Sequence, residues 1–179
     1  PFNVRVFNTL NLYERDIPQN YLTVKHKHFT FRYHKDEKAI LERYVPGLME
    51  TAWRKMVKEY GFTPVTPVGI ELYAERQNFA IRTSGLPSTA IQGVCFGKTL
   101  ASMSPMQEKF NLGMTLWHEL AHVFHIQLSK SHVPRWFTEG LAEHETLVER
   151  PEWAREHDPD LYQALRDSRL PQVGSMTKA

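Results

Sequence analysis

The sequence has one cysteine, little net charge and no long apolar run, and each shortage excludes a class of protein. Cys95 is the only cysteine among 179 residues, so no disulfide can form within the chain. Twenty-two basic and 20 acidic residues leave a formal net charge of +2, which argues against nucleic acid as the main partner. No apolar run reaches the roughly 18 residues that suggest a membrane-spanning helix. No targeting segment is visible, and the sequence predicts no particular compartment.

The residues that are present describe a globular protein with an excess of histidine. Apolar residues make up 41% of the chain and charged residues 23%, which is typical of a folded domain. The length favours one domain over 1–179, with a β-rich part over 1–105 and a helical part over 106–170. Histidine occurs nine times, about twice its ordinary usage.

Strand patterns are concentrated in the first part of the chain. Apolar and polar residues alternate over 24–34 and again over 67–74, and each stretch predicts a strand. Residues 93–104 predict two short strands in a hairpin around Gly97-Lys98. Residues 1–22 have weak periodicity and are predicted to be a loop with at most one short element.

Helical patterns dominate the second part of the chain and also separate the strands. Apolar residues at helical spacing predict four main helices: from Asp36 to Gly61, over 106–129, from Pro134 to about Arg150, and from Asp158 to about Ser168. A further short helix is predicted near 78–82. Pro46-Gly47 is expected to kink or split the first helix. Strands followed by helices predict an α+β fold.

The helix over 106–129 contains the sequence His118-Glu119-Leu120-Ala121-His122. Histidines four residues apart lie on one face of a helix, about 6 Å from each other. Their ring nitrogens can then converge on one zinc ion at about 2.0–2.1 Å. Glu119 follows the first histidine directly, so its carboxylate can reach a metal-bound water without binding the metal. This spacing predicts a catalytic zinc site.

A catalytic zinc ion usually has three protein ligands, so the two histidines need a partner. Sixteen residues separate His122 from Glu139, which lies in the segment R-W-F-T-E-G-L-A-E over 135–143. With its two histidines, this pattern resembles the gluzincin metallopeptidases, most closely their peptidase MA-like domains and more distantly the aminopeptidase branch. The resemblance covers 112–147 well and extends weakly upstream.

The resemblance implies a zincin-like fold with a small mixed sheet, an active-site helix and a helical C-terminal subdomain. It also implies one Zn²⁺ per chain, held by His118, His122 and Glu139, and a peptide or protein substrate. Glu119 would be the general base that deprotonates the water and later protonates the leaving amine. Glu143, one turn beyond Glu139, would hold a ligand histidine and fix its tautomer.

The resemblance also suggests residues for further roles. Gluzincins often add a tyrosine or histidine that stabilises the oxyanion, and Tyr162 and His144 are the candidates. The strand over 99–104 is a candidate rim for an extended substrate. His125 shares the face of the motif but is predicted to be a core or pocket-wall residue.

Two alternatives to a free-standing peptidase are also compatible with the sequence. The chain could be a catalytically weak or silent zincin-fold domain that binds peptides or serves assembly. It could also be fused to further domains of a larger protein, one of which restricts access to the active-site cleft that a peptidase would have.

Overall fold

A five-stranded mixed sheet organises the computed structural model, which describes residues 2–153 and 158–178. Its strands are β1 (Tyr21–Lys25), β2 (Phe29–His34), β3 (Val68–Tyr73), β4 (Gly93–Cys95) and β5 (Thr99–Met103). The strand order is β1-β2-β3-β5-β4. The outer pairs, β1 with β2 and β4 with β5, are antiparallel, whereas β3 is parallel to both β2 and β5. The predicted combination of helices with a small mixed sheet is therefore confirmed.

The stretch over 24–34 contains parts of two strands, so the prediction of a single strand was wrong. The backbones of His26 and Phe29 hydrogen-bond to each other and close a turn between β1 and β2. Apolar and polar residues continue to alternate through this turn, so the sequence pattern did not indicate it. Phe29, Phe31 and Tyr33 are buried together, as their spacing predicts. The hairpin of β4 and β5 is confirmed, with Gly97 at a φ of +83° in its turn.

The described helices are α1 (Val4–Asn11), α2 (Ile17–Asn20), α3 (Lys38–Tyr60), α4 (Arg76–Ser84), α5 (Leu112–Leu128), α6 (Arg135–Glu149) and α7 (Asp158–Arg166). A π-helical turn, Leu12–Asp16, joins α1 to α2, and a 3-10 helix spans Val173–Lys178. None of the described helices combines the length and apolar character needed to cross a membrane.

The N-terminal segment is helical, so the predicted loop over 1–22 was wrong. The Asn3 side chain accepts hydrogen bonds from the backbone N–H groups of Arg5 and Val6 and thereby caps α1. Leu12 is fully buried and packs in a cluster with Tyr73. These tertiary contacts stabilise short helices whose own periodicity is weak.

One helix begins later than predicted, and a proline leaves another helix undivided. Pro46 lies within α3 but does not split it, because the buried neighbours Val45 and Met49 hold the helix against the core. α5 begins at Leu112 rather than 106, where the Asn111 side chain accepts a hydrogen bond from the Met114 N–H. The end of α3 at Gly61 is confirmed, with a left-handed φ of +58°.

The main core lies between one face of the sheet and helices α3 and α5. Trp53 of α3 packs edge-on against Phe29 of β2 and Phe124 of α5. On its other sides, α5 contacts α6 and the outer hairpin of β4 and β5. This arrangement places the His118–His122 segment between the edge of the sheet and α6.

Candidate metal centre

Three side chains from two helices converge at the junction of α5 and α6. The Nε2 atoms of His118 and His122 are 3.0 Å apart, and each lies 3.2 Å from Oε2 of Glu139. The histidines share a face of α5 because they are four residues apart. Glu139 is in the second turn of α6, which follows a short loop after α5.

The spacing of these three atoms fits a tetrahedral metal ion. Ligands about 2.0–2.1 Å from a tetrahedral metal lie about 3.3–3.4 Å from one another, close to the separations found here. Two imidazole nitrogens and one carboxylate oxygen suit zinc and related divalent ions. His118, His122 and Glu139 could therefore hold a metal ion.

Glu119 lies beside this cluster without joining it. The residue is buried, and burial raises the pKa of its carboxyl group to about 7, against the lowering effect of His118. The negative charge of Glu139 raises the pKa further. Glu119 lines the same cleft as His122 and Glu139, so a carboxyl group that can exchange protons near neutral pH faces the candidate metal site.

Glu143 contacts the His118 ring on the side opposite Glu139. Its Oε1 is 3.2 Å from Nδ1 of His118, which leaves Nε2 of that ring facing Glu139. Burial opposes charge on His118, but the hydrogen bond with Glu143 and the charge of Glu119 outweigh burial and raise the histidine's pKa. The carboxylate thus favours one orientation of the ring.

His122 has a different partner, Thr138, which sequence reasoning did not identify. Nδ1 of His122 is 2.8 Å from the Thr138 hydroxyl oxygen, and Nδ1 of His125 is 2.9 Å from the same oxygen. His125 is buried, as predicted for a core or pocket-wall residue. Burial lowers the pKa of His125 to about 4, aided by the nearby His122 and His118.

Beyond His125 the contacts continue to α3. Nε2 of His125 is 2.8 Å from the Tyr60 hydroxyl, which donates a hydrogen bond to Oε1 of Glu145 at 2.6 Å. Tyr60 is 65 residues from His125 and 85 from Glu145. The only feature of the sequence that could have indicated these partners was the position of Thr138 directly before Glu139. Nothing local pointed to Tyr60 or Glu145.

The two candidate oxyanion stabilisers lie outside the residues that line the cleft. His144 is exposed on α6, and the Tyr162 side chain is exposed on α7. Their proposed role stays a prediction.

The predicted substrate rim over 99–104 was wrong. β5 pairs with β3 on one side and with β4 on the other, so it has no free edge. The outer strand is β4, because the hairpin turns it to the end of the sheet.

A cleft of about 760 Å³ runs past the candidate metal centre. Its apolar walls include Ile91, Val94, Ile126 and Val133. Cys95 also lines the cleft, but burial raises the pKa of its thiol to about 12, which keeps the sulfur protonated and unreactive.

Comparisons of the chain with protein-family models, with curated protein sequences and with solved structures find no match. The resemblance to gluzincin peptidases therefore rests on the motif residues alone.

Proposed function

We propose that the protein is a zinc-dependent metallopeptidase with a zincin-like fold and a gluzincin site. The observation that carries the proposal is the convergence of His118, His122 and Glu139 with ligand atoms 3.0–3.2 Å apart. A buried glutamate, Glu119, stands beside them in a cleft large enough for several side chains of a peptide.

In this proposal His118, His122 and Glu139 hold one zinc ion per chain. When bound, zinc would polarise the scissile carbonyl and lower the pKa of water towards about 7. Glu119 takes a proton from the attacking water and delivers it to the leaving amine nitrogen. Its raised pKa suits both transfers, because a group that titrates near the working pH can accept and release a proton.

The edge strand β4 and the cleft walls would position the substrate. Among the described residues β4 pairs with β5 alone, and it contributes Gly93, Val94 and Cys95 to the cleft. An extended peptide can add to such an edge through backbone hydrogen bonds, with its side chains entering the apolar part of the cleft. This arrangement supports a peptide or protein substrate.

The decisive experiment measures zinc content and peptide cleavage together. We expect about one zinc per chain in the wild type and in Glu119→Gln, with cleavage only in the wild type, because the amide has the same shape but accepts no proton. Glu14→Gln, the same change at an exposed site outside the cleft, serves as the matched control and should behave as wild type.

The other outcomes separate the rival functions. Absence of zinc from the purified, zinc-supplemented wild type would refute the metal site. Zinc binding without cleavage of a broad peptide library would instead support a catalytically silent peptide-binding module.

A further inference from the structure

A continuous chain of hydrogen bonds connects a buried carboxylate on α6 to a candidate metal ligand on α5. It runs from Glu145 through Tyr60, His125 and Thr138 to His122, with successive separations of 2.6, 2.8, 2.9 and 2.8 Å. Tyr60 is the last residue of α3, so three helices contribute. His122, His125, Thr138 and Glu145 are all buried.

The direction of each hydrogen bond follows from the one before it. Tyr60 donates its hydroxyl proton to Glu145, so its oxygen accepts from Nε2–H of His125. A neutral imidazole carries one ring proton, which leaves Nδ1 of His125 as an acceptor for the Thr138 hydroxyl. The His125 ring is neutral because it is buried between two hydroxyl groups, where charge would be poorly solvated.

The last hydrogen bond determines the state of the candidate ligand. With its proton donated to His125, the Thr138 oxygen accepts from Nδ1–H of His122. The ring of His122 then has no proton on Nε2, the atom that lies near His118 and Glu139. A metal binds only a bare ring nitrogen, and the hydrogen bond on the other nitrogen sets which one is bare.

We propose that Glu145, Tyr60 and His125 form a positioning relay that holds His122 in its metal-binding tautomer and orientation. The proposal rests on the metal site of the proposed function but not on the reaction performed there. The three relay residues touch no substrate; they act through Thr138 on one ligand. Such outer partners typically change metal affinity by about 10- to 100-fold.

The test removes one hydroxyl group of the relay and compares the effect with that of removing a matched hydroxyl group elsewhere. Tyr60→Phe breaks the relay between His125 and Glu145. Tyr73→Phe is the control, because Tyr73 is also buried and donates to a buried carboxylate, Glu71, at 3.2 Å. We expect zinc affinity, measured by competition with a chromogenic chelator, to fall about 10-fold or more in Tyr60→Phe. Tyr73→Phe should keep the wild-type affinity.

A second measurement needs neither zinc nor activity. Nitrogen-15 NMR of the metal-free protein reports which ring nitrogen of each histidine carries the proton. We expect the proton on Nδ1 of His122 and on Nε2 of His125 in the wild type, and loss of this preference in Tyr60→Phe. Glu145→Gln keeps an oxygen that accepts from Tyr60, so the tautomers should remain as in the wild type.

Three results would overturn the relay. These are unchanged zinc affinity in Tyr60→Phe, equal losses of affinity in both tyrosine variants, or a wild-type His122 with its proton on Nε2. If the wild type shows the expected tautomers but cleaves no peptide, the proposed relay is supported and only the proposed peptidase activity is refuted.

Discussion

At the residue scale, Gly93 on β4 packs closely against the side chain of Glu119. A Cβ atom at this position would lie 2.6 Å from Oε1 of Glu119, 2.8 Å from its Cγ and 2.9 Å from Cγ2 of Thr115. These separations are shorter than van der Waals contact allows. Glu119 therefore occupies space that is open only because residue 93 has no side chain.

Gly93→Ala should accordingly displace the Glu119 carboxylate and leave the metal ligands in place. A shift of about 1 Å in a catalytic group can cost about 100-fold in rate, so we expect a loss of that order in kcat/KM with normal zinc content. Gly140→Ala is the control, because a Cβ there meets no atom within 4 Å although Gly140 adjoins Glu139. Wild-type kinetics in Gly93→Ala would contradict this interpretation.

At the scale of the element, α3 has one glycine inside it and one directly after it, and the two have opposite roles. Gly61 ends the helix at a φ of +58°, a conformation that residues with a side chain rarely adopt. Gly47 lies inside the helix, and a Cβ there would have no atom within 4 Å. The first glycine is required by the backbone, and the second weakens a helix that already contains Pro46.

Substituting alanine at these two positions should change stability in opposite directions. Gly61→Ala is expected to lower the free energy of unfolding by about 1–2 kcal/mol, because alanine is strained at positive φ. Gly47→Ala should raise it by about 0.5–1 kcal/mol, because alanine loses less backbone entropy in a helix. Urea denaturation followed by circular dichroism measures both. A gain in stability for Gly61→Ala would show that the turn after Tyr60 can rearrange.

At the scale of the whole molecule, the candidate metal centre joins two helices across a loop. His118 and His122 come from α5 and Glu139 comes from α6, so the complete ligand set exists only when these helices pack. An ion that binds the folded chain and not the unfolded chain stabilises the fold through mass action.

Zinc should therefore raise the melting temperature of the metal-free protein. A free concentration about 100 times the dissociation constant contributes about 2.7 kcal/mol. For a chain of this length that free energy corresponds to roughly 5–10 °C. Differential scanning calorimetry with and without zinc measures the shift, and a chelator should reverse it.

Two histidine variants test where the stabilising ion binds. His118→Ala should abolish the zinc-dependent rise, whereas His26→Ala, at an exposed turn position, should keep it. An equal rise in all three proteins would indicate zinc binding away from the proposed centre.

The parts of the fold that were predicted well depend on short-range patterns. The alternation of Phe29, Phe31 and Tyr33 indicated a half-buried strand, and Gly61 marked the end of α3. The N-terminal helices were not predicted, because they are held by tertiary contacts that local periodicity does not show. Leu12, for example, packs in a buried cluster with the distant residue Tyr73. The predicted substrate rim at β5 was wrong, because a hairpin pattern does not say which of its two strands lies at the edge of the sheet.

The relative positions of His118, Glu119 and His122 follow from local sequence alone, because helical geometry fixes the positions of residues one and four apart. The sequence named Glu139 through a resemblance but placed none of its atoms. Only the tertiary structure brought Glu139 to the histidines, Gly93 to Glu119, and Tyr60 to His125. These contacts depend on how α3, α5, α6 and the sheet edge pack together. No pattern within a few residues of the chain encodes that packing.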